Sequence, residues 1–251
     1  MTQNFQAIRF HEYGGSDKLI LETMPLPVLK AHEILIEVHF AGVNPVDWKI
    51  RSGHLKDFMP VPLPFTPGID VSGVVAAIGS EIKDIKVGQA VFGIGNGTYA
   101  QYVVAKDGDV VPKPDNLSFE MAATVPVGAL TAWKAVADAG VKKGLSVVIQ
   151  GAAGGVGLFA VQFAALKGAK VIGVASENNL TFVKTLGAEK AVAYDKSPLE
   201  AEIKDVDIVI DMAGGEALEK AYGFLRKGGT LVTIAGQGSG GKAKIHGIKG
   251  P

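Results

Sequence analysis

One segment near the middle of the chain limits the possible fold more than any other. It starts with the apolar run 147–149 and passes through Gln150 into the glycine-rich stretch 151–157, Gly-Ala-Ala-Gly-Gly-Val-Gly. An apolar run, a glycine-rich turn and a helical pattern in this order predict a buried strand, a tight turn and a helix. Where side chains are missing, backbone N–H groups at the helix N-terminus can approach a pyrophosphate closely. The spacing Ala152, Gly154, Gly157 therefore indicates a dinucleotide-binding turn with alanine in its first glycine position.

The pattern around this segment alternates between helix and strand from about residue 118 onward. Apolar strands between helices are typical of a parallel, doubly wound α/β sheet with both faces covered. Only five strands follow residue 146, whereas the dinucleotide-binding form of this fold usually has six. We expect strands at 146–150, 170–175, 190–194, 207–211 and 230–235, and helices at 127–139, 154–167, 178–186 and 216–226.

The first half of the chain has a different rhythm. Short runs with a period near two, separated by glycine and proline, predict short strands in a compact barrel-like domain. Residues 60–67 contain four prolines and predict an extended loop. The predicted strands are 5–10, 34–40, 71–78, 90–93 and 99–105.

Charge and composition exclude several classes of function. Lys and Arg together number 25, as do Asp and Glu, so no net positive charge favours nucleic acid or an anionic membrane. The chain has no cysteine, which removes disulfides, thiolate nucleophiles and thiolate–zinc sites. Its five histidines lack metal-ligand spacing. With no signal peptide and no apolar run of about 18 residues, we expect a soluble cytoplasmic protein.

The end of the second predicted strand bears on the choice between NAD and NADP. Enzymes that use NAD usually carry Asp or Glu at this tip, where it binds the ribose 2′-hydroxyl. Here the strand ends at Ala175, and Ser176 and Asn178 could donate to a 2′-phosphate. Glu177 argues against this interpretation, and Ser176 alone is equally explained as a helix N-cap. We favour NADPH (NADP+) as the cofactor.

Several motifs together resemble one family. The run 152–157 with Gln162, the run 68–73 (Gly-Ile-Asp-Val-Ser-Gly) and the run 44–49 (Asn-Pro-Val-Asp-Trp-Lys) are similar to segments of the medium-chain dehydrogenase/reductase superfamily. The likeness extends over essentially the whole chain and is to the zinc-free branch of quinone oxidoreductases, zeta-crystallins and enone reductases. Ile69 stands where zinc alcohol dehydrogenases of this superfamily have a zinc-binding histidine. The resemblance therefore implies a reductase with no zinc.

The resemblance also implies a domain organisation. We expect a GroES-like β-barrel catalytic domain over 1–121, without its usual C-terminal return, and a Rossmann dinucleotide-binding domain over 122–251, without its sixth strand. The segment that full-length relatives carry after this point is expected to be missing, so either the chain is a fragment or a shorter segment replaces that end. A homodimer is expected only if the chain continues beyond 251.

Roles for individual residues follow from the resemblance and from the strand ends. Thr131 is expected near the nicotinamide ribose and Tyr194 near the adenosine ribose or its phosphate. Backbone at the carboxyl ends of the fourth and fifth strands is expected to line the nicotinamide, because ligands bind at this edge of doubly wound sheets. The predicted cofactor-binding residues are Thr131, Ala152, Gly154, Gly155, Val156, Gly157, Ser176, Asn178, Tyr194, Gly214, Ala235 and Gly236.

The predicted reaction is hydride transfer from NADPH to a quinone or an α,β-unsaturated carbonyl, a substrate already polarised by conjugation. Asn44 and Lys49 are the candidate catalytic donors to the carbonyl oxygen. Asn44 before proline is equally typical of a turn. Two alternatives remain: a non-catalytic NADPH-binding protein, either crystallin-like or a redox sensor, and a zinc-dependent alcohol dehydrogenase, which the lack of cysteine opposes.

Overall fold

A computed structural model of the protein describes residues 4–235. The chain divides into two compact units, Met1–Val127 and Gly128–Pro251. Each unit has its own buried apolar core: one cluster that includes Ile34 and Val71 in the first unit, and two clusters in the second.

The first unit is built mainly from antiparallel strands. The elements are β1 (Asn4–Arg9), β2 (Ile20–Pro25), β3 (Glu33–Ala41), α1 (Pro45–Arg51), β4 (Asp70–Ile78), β5 (Ala90–Ile94), β6 (Tyr102–Lys106), β7 (Val110–Pro112) and α2 (Phe119–Ala123). Strands β3 to β7 form one sheet in the order β6-β3-β4-β5-β7, and β1 pairs with β2 in a separate antiparallel hairpin. Alternate residues of the sheet strands, among them Ile34 and Ile36, point into the core.

The second unit is a parallel sheet with helices between its strands. The elements are α3 (Pro126–Asp138), β8 (Ser146–Gln150), α4 (Gly157–Leu166), β9 (Lys170–Ala175), α5 (Leu180–Thr185), β10 (Lys190–Ala193), α6 (Leu199–Glu202), β11 (Val206–Asp211), α7 (Gly215–Ala221) and β12 (Leu225–Thr233). The strand order, β10-β9-β8-β11-β12, is that of a doubly wound dinucleotide-binding sheet within the described residues. This confirms the predicted fold class.

The sequence prediction was wrong about the end of α7 and the start of β12. The helix ends at Ala221 rather than at 226, and the strand already begins at Leu225. Phe224 is fully buried, which draws the chain into the core before Gly228 and Gly229. Gly228 instead lies inside β12, with a φ of 76°, next to an irregularity in its pairing with β11.

Two helices also begin later than predicted. Helix α4 starts at Gly157, so 154–156 belong to the turn, and residues 177–179 form a 3₁₀ turn before α5. In the first unit, Asn44 precedes a short helix rather than a simple turn, with Pro45 in its first position.

Within 4–235, none of the helices has the length and apolar character needed to cross a membrane.

Candidate functional site

The glycine-rich turn lies at the carboxyl end of β8, the central strand of the parallel sheet. It leads directly into α4, a helix of ten residues. The N–H groups of Gly154 and of Leu158 to Ala160 already donate to backbone carbonyls, whereas those of 155–157 form no such bond within the described residues. Gly154 and Gly155 are exposed, whereas Ala152 and Gly157 are buried. The turn therefore presents backbone and a helix N-terminus to a ligand, which is the arrangement that binds a pyrophosphate.

The glycines of this turn serve two separate purposes. A Cβ on Gly157 would overlap the carbonyl oxygen of Gly151, so this glycine allows the helix to pack closely on the turn. A Cβ on Gly155 would meet no atom within 4 Å. Nothing in the packing of the protein requires glycine at 155, but a side chain there would fill the space through which a pyrophosphate approaches the backbone. The turn thus passes a structural test for a dinucleotide site.

Helix α3 begins beside the same turn. A Cβ on Gly128 would come within 2.7 Å of the Gly155 carbonyl oxygen, so the first helical turn can lie this close only because residue 128 is glycine. Thr131, which is half-buried, lies one turn further along α3.

The predicted phosphate-binding residues follow the two neighbouring strands, β9 and β10. These strands are parallel, and Ala175 pairs with Ala193 at their carboxyl ends, so the residues after them meet. Ser176 accepts a hydrogen bond from the side-chain amide of Asn179 at 2.9 Å, which leaves its own hydroxyl proton available. Asn178 is exposed, as is Tyr194, with 61% of its surface accessible.

A basic residue at this point was not predicted from the sequence. Lys196 places its ammonium 2.8 Å from the carboxylate of Glu177, the acid that argued against a 2′-phosphate. The charge of Lys196 balances that of Glu177. The Lys196 ammonium has three N–H donors, so a phosphate can contact it as well. The sequence does indicate that residues after β9 and β10 lie near one another, because the two strands are consecutive and parallel. Which of these residues meet depends on the register of the two strands, which only the structure gives.

The other half of the sheet edge is formed by the loops after β11 and β12. Gly214 is buried with a φ of 70°, and a Cβ there would lie 3.0 Å from the carbonyl oxygen of Ala235. The two loops are therefore in close contact at the predicted nicotinamide end. Gly236, predicted to belong to the same group, lies outside the described residues.

In the first unit, Asn44 is part of a buried polar network. Its side-chain amide donates to Asp70 at 2.8 Å, and the other oxygen of Asp70 accepts from the backbone N–H of Val127 at 2.8 Å. Asp70 is 1% exposed, and burial raises the pKa of its carboxyl group. Because an asparagine amide carries two N–H donors, Asn44 keeps one after this bond.

Asp47 and Tyr99 extend this network. Asp47 accepts from the backbone N–H of Asn44 at 2.7 Å and from the Tyr99 hydroxyl at 2.9 Å, and it forms no ion pair with Lys49 or Arg51 within the described residues. Burial and the neighbouring Asp47 raise the pKa of Tyr99. The ammonium of Lys49 lies 5.9 Å from the centre of the Trp48 ring. Across 4–235, no group of three or more His, Cys, Asp or Glu residues could hold a metal ion.

Comparison with known proteins identifies the family. Residues 30–115 match the alcohol dehydrogenase GroES-like domain, and residues 155–248 match the family described as zinc-binding dehydrogenase. Human quinone oxidoreductase is 37% identical over 245 residues, which cover 93% of this chain and 74% of the relative. The chain belongs to the quinone oxidoreductase branch of the medium-chain dehydrogenase/reductase superfamily. The predicted family is confirmed.

Two further relatives have names that state a substrate or a cofactor of their own. The 2-methylene-furan-3-one reductase of tomato (Solanum lycopersicum) is 36% identical over 249 residues, which cover 94% of this chain and 63% of the relative. A mycobacterial protein whose structure was solved in complex with NADPH superposes with a TM-score of 0.85 at 27% identity. The match covers 98% of this chain and 81% of the mycobacterial chain.

Proposed function

We propose that this chain is an NADPH-dependent oxidoreductase that delivers hydride to a quinone or an α,β-unsaturated carbonyl without a metal. The observation that carries the proposal is the glycine-rich turn at the centre of the carboxyl edge of a parallel sheet, with Gly155 open to a ligand. Because the chain belongs to the quinone oxidoreductase branch, hydride transfer to a quinone or enone is the reaction we propose. The relative solved with NADPH supports NADPH as the cofactor.

The adenosine half of NADPH would bind at the ends of β8, β9 and β10. Backbone N–H groups of 155–157 would hold the pyrophosphate at the N-terminus of α4, where the helix dipole favours negative charge, while the N–H of Gly154 donates to Gly151 and shapes the turn. Ser176, Asn178, Tyr194 and Lys196 would hold the adenosine ribose and its 2′-phosphate. The carboxylate of Glu177 would repel a 2′-phosphate, but Lys196 pairs with it and neutralises its charge.

The nicotinamide half would bind at the other end of this edge. Thr131, Gly214 and Ala235 would line it, and Gly236 remains a prediction from the sequence. Bound NADPH supplies the hydride, and the protein orients the cofactor and provides hydrogen-bond donors.

Asn44 and Lys49 would act on the substrate carbonyl. The amide of Asn44 is held in one orientation by Asp70 and retains one N–H, which can donate to an oxygen that gains negative charge as hydride arrives. Lys49 can donate from its ammonium group. A conjugated substrate does not require the Lewis acid that a simple ketone would use. Ile69 in the histidine position and the lack of cysteine support a zinc-free site.

A turnover assay tests this proposal. The purified chain is mixed with NADPH and either a simple benzoquinone or a 2-alkenal, and the loss of NADPH absorbance is followed with and without a zinc chelator. We expect turnover that the chelator does not change and that is faster with NADPH than with NADH. Asn44→Ala should lower kcat/KM by about a hundredfold, the size expected for one oxyanion donor. Asn116→Ala, at an exposed turn, is the control.

Each contrary result points to a different function. Tight binding of NADPH with no turnover of any acceptor, unchanged by Asn44→Ala, would favour a non-catalytic NADPH-binding protein. Activity that disappears with the chelator would favour a zinc-dependent dehydrogenase.

Other predictions from the sequence stay predictions. They are the division into a catalytic domain over 1–121 and a dinucleotide-binding domain over 122–251, a cytoplasmic location and a homodimer. A small-molecule substrate is consistent with the reductases among the relatives.

A further inference from the structure

A buried carboxylate outside the predicted site organises the loops at the nicotinamide end. Asp211 is the last residue of β11 and is fully buried. One oxygen, Oδ1, accepts from the backbone N–H groups of Ala213 and Gly214 at 3.0 and 3.1 Å. The other, Oδ2, accepts from the Thr233 hydroxyl at 2.7 Å and lies 3.2 Å from the Gly214 nitrogen.

Asp211 has no cationic partner in the described part of the chain, since no Lys, Arg or His lies within ion-pair distance. Burying a carboxylate is costly unless hydrogen bonds satisfy it. Here backbone N–H groups and one hydroxyl do so, and they belong to the two loops of interest. The charge therefore stabilises one particular arrangement of those loops.

The same carboxylate reaches both loops through a short chain of bonds. It fixes the first loop directly at Gly214. It fixes the second through Thr233, whose hydroxyl oxygen accepts from the backbone N–H of Ala235 at 3.2 Å. The backbone carbonyl of Asp211 also accepts from Ile234 at 3.0 Å. Gly214 and Ala235, which lie in close contact, are thus both held by one residue.

We propose that Asp211 is a positioning residue that holds residues 213–214 after β11 and residues 234–235 after β12 in the conformation that receives the nicotinamide half of NADPH. This inference rests on the proposed function, because it assumes that NADPH binds along this edge. It predicts that Asp211 matters for one half of the cofactor and not for the other, since the adenosine half would lie at the ends of β8, β9 and β10.

The structure contains a matched control at the opposite end of the same strand. Asp207, near the start of β11, accepts from the backbone N–H and the hydroxyl of Ser146, both at 2.8 Å, and from Arg226 at 2.7 Å. Asp207 and Ser146 thus repeat the pairing of Asp211 and Thr233, but at the amino edge of the sheet, away from the proposed cofactor.

The experiment compares two ligands in the full chain. NADPH carries both halves of the cofactor, and adenosine 2′,5′-bisphosphate carries only the phosphorylated adenosine half. Calorimetric titration gives the Kd of each for the wild type, Asp211→Asn and Asp207→Asn, and thermal unfolding gives their stabilities. We expect Asp211→Asn to weaken NADPH by about tenfold, the size expected for losing charge-assisted hydrogen bonds. Binding of the bisphosphate should be unchanged.

A milder pair of variants guards against loss of folding. Thr233→Val removes the hydroxyl that links Asp211 to the second loop, and Ser146→Ala removes its counterpart at the amino edge. Thr233→Val should weaken NADPH and spare the bisphosphate, whereas Ser146→Ala and Asp207→Asn should leave both Kd values unchanged even where they lower the melting temperature.

The outcomes separate this inference from the proposed function. If the wild type binds neither ligand, the proposed function fails. If the wild type binds both, but the Asp211 and Thr233 variants bind NADPH as tightly as the wild type, or lose both ligands equally, the positioning role is wrong.

Discussion

At the scale of single residues, the glycine-rich turn allows packing and ligand access to be separated. Gly155→Ala adds a methyl group that meets no protein atom within 4 Å. Stability should change by less than about 0.5 kcal/mol. The methyl group would occupy the approach to the pyrophosphate, so the Kd for NADPH should rise by about tenfold, as for one lost charge-assisted contact. Urea unfolding and a fluorescence titration of NADPH measure the two effects.

Gly157→Ala is the comparison for this variant. Its methyl group would overlap the Gly151 carbonyl, so the turn or the helix must shift. We expect a loss of about 1–3 kcal/mol in the free energy of unfolding, the range for an overpacked position. A Gly155→Ala variant that loses stability but binds NADPH normally would contradict the assignment of the two glycines.

Not every residue of this edge could be predicted from the sequence. The glycine turn was predictable because its chemistry depends on residues that are adjacent in the chain. Lys196 and Asp211 were not, because their partners come from other segments: Glu177 meets Lys196 through the register of β9 and β10, and Thr233 reaches Asp211 from the next strand. In both cases the pairing of strands, rather than any local pattern, creates the contact.

At the scale of elements, Asp70 joins three of them: it begins β4, accepts from Asn44 before α1 and accepts from Val127 in the first turn of α3. Burial raises its pKa above the ordinary value of 3.8, against the lowering effect of these two hydrogen bonds. As pH rises above 3.8, the carboxyl therefore ionises first in the unfolded chain. Its contribution to stability must fall over this window and level off above the raised pKa.

Urea unfolding of the wild type and of Asp70→Asn tests this fall in the contribution of Asp70. The measurements run from about pH 3 to about pH 7, a range that starts just below the ordinary pKa of an aspartate carboxyl group. The free energy of unfolding of the wild type minus that of Asp70→Asn should decrease as pH rises above 3.8. Asp207 is the opposite case, because hydrogen bonds from Ser146 and Arg226 lower its pKa. Its contribution is present above 3.8 and is lost as pH falls through the lowered value. If the stability difference between wild type and variant changed in the same direction with pH for both aspartates, this explanation would be refuted.

The boundaries of elements were harder to predict than their types. The apolar strands β8, β9 and β11 were predicted nearly to the residue, because both faces of each are buried and few polar residues interrupt them. The end of α7 was not, since it depends on Phe224 reaching the core, and burial of one side chain is a property of the tertiary structure.

At the scale of the whole molecule, the change of rhythm in the sequence predicted both architectures, and the reason is physical. Alternation with a period of two reflects strands with one buried face, and long apolar runs between helices reflect strands covered on both faces. The two compact units express these two patterns.

The distribution of tryptophan allows cofactor binding to be assigned to one unit. The chain has two tryptophans, Trp48 in the first unit and Trp133 in the second. Trp133 packs edge-on against Phe163, with ring centres 5.4 Å apart, so its emission should report the unfolding of the second unit. In a Trp48→Phe variant, NADP+ at about 100 times its Kd should stabilise this unit by about 2.7 kcal/mol, because a ligand that binds only the folded state stabilises it by mass action.

The measurement is urea unfolding followed by Trp133 emission, with NADP+ chosen because it does not fluoresce. NAD+ at the same concentration is the control, and it should shift the transition less, since it lacks the 2′-phosphate that Lys196 and Ser176 would bind. The Trp133→Phe variant, in which Trp48 reports, measures how much of the stabilisation reaches the first unit. A Trp133 transition that NADP+ leaves in place would exclude the carboxyl edge of the parallel sheet as the cofactor site, because a ligand bound there must resist the unfolding of the strands that form it.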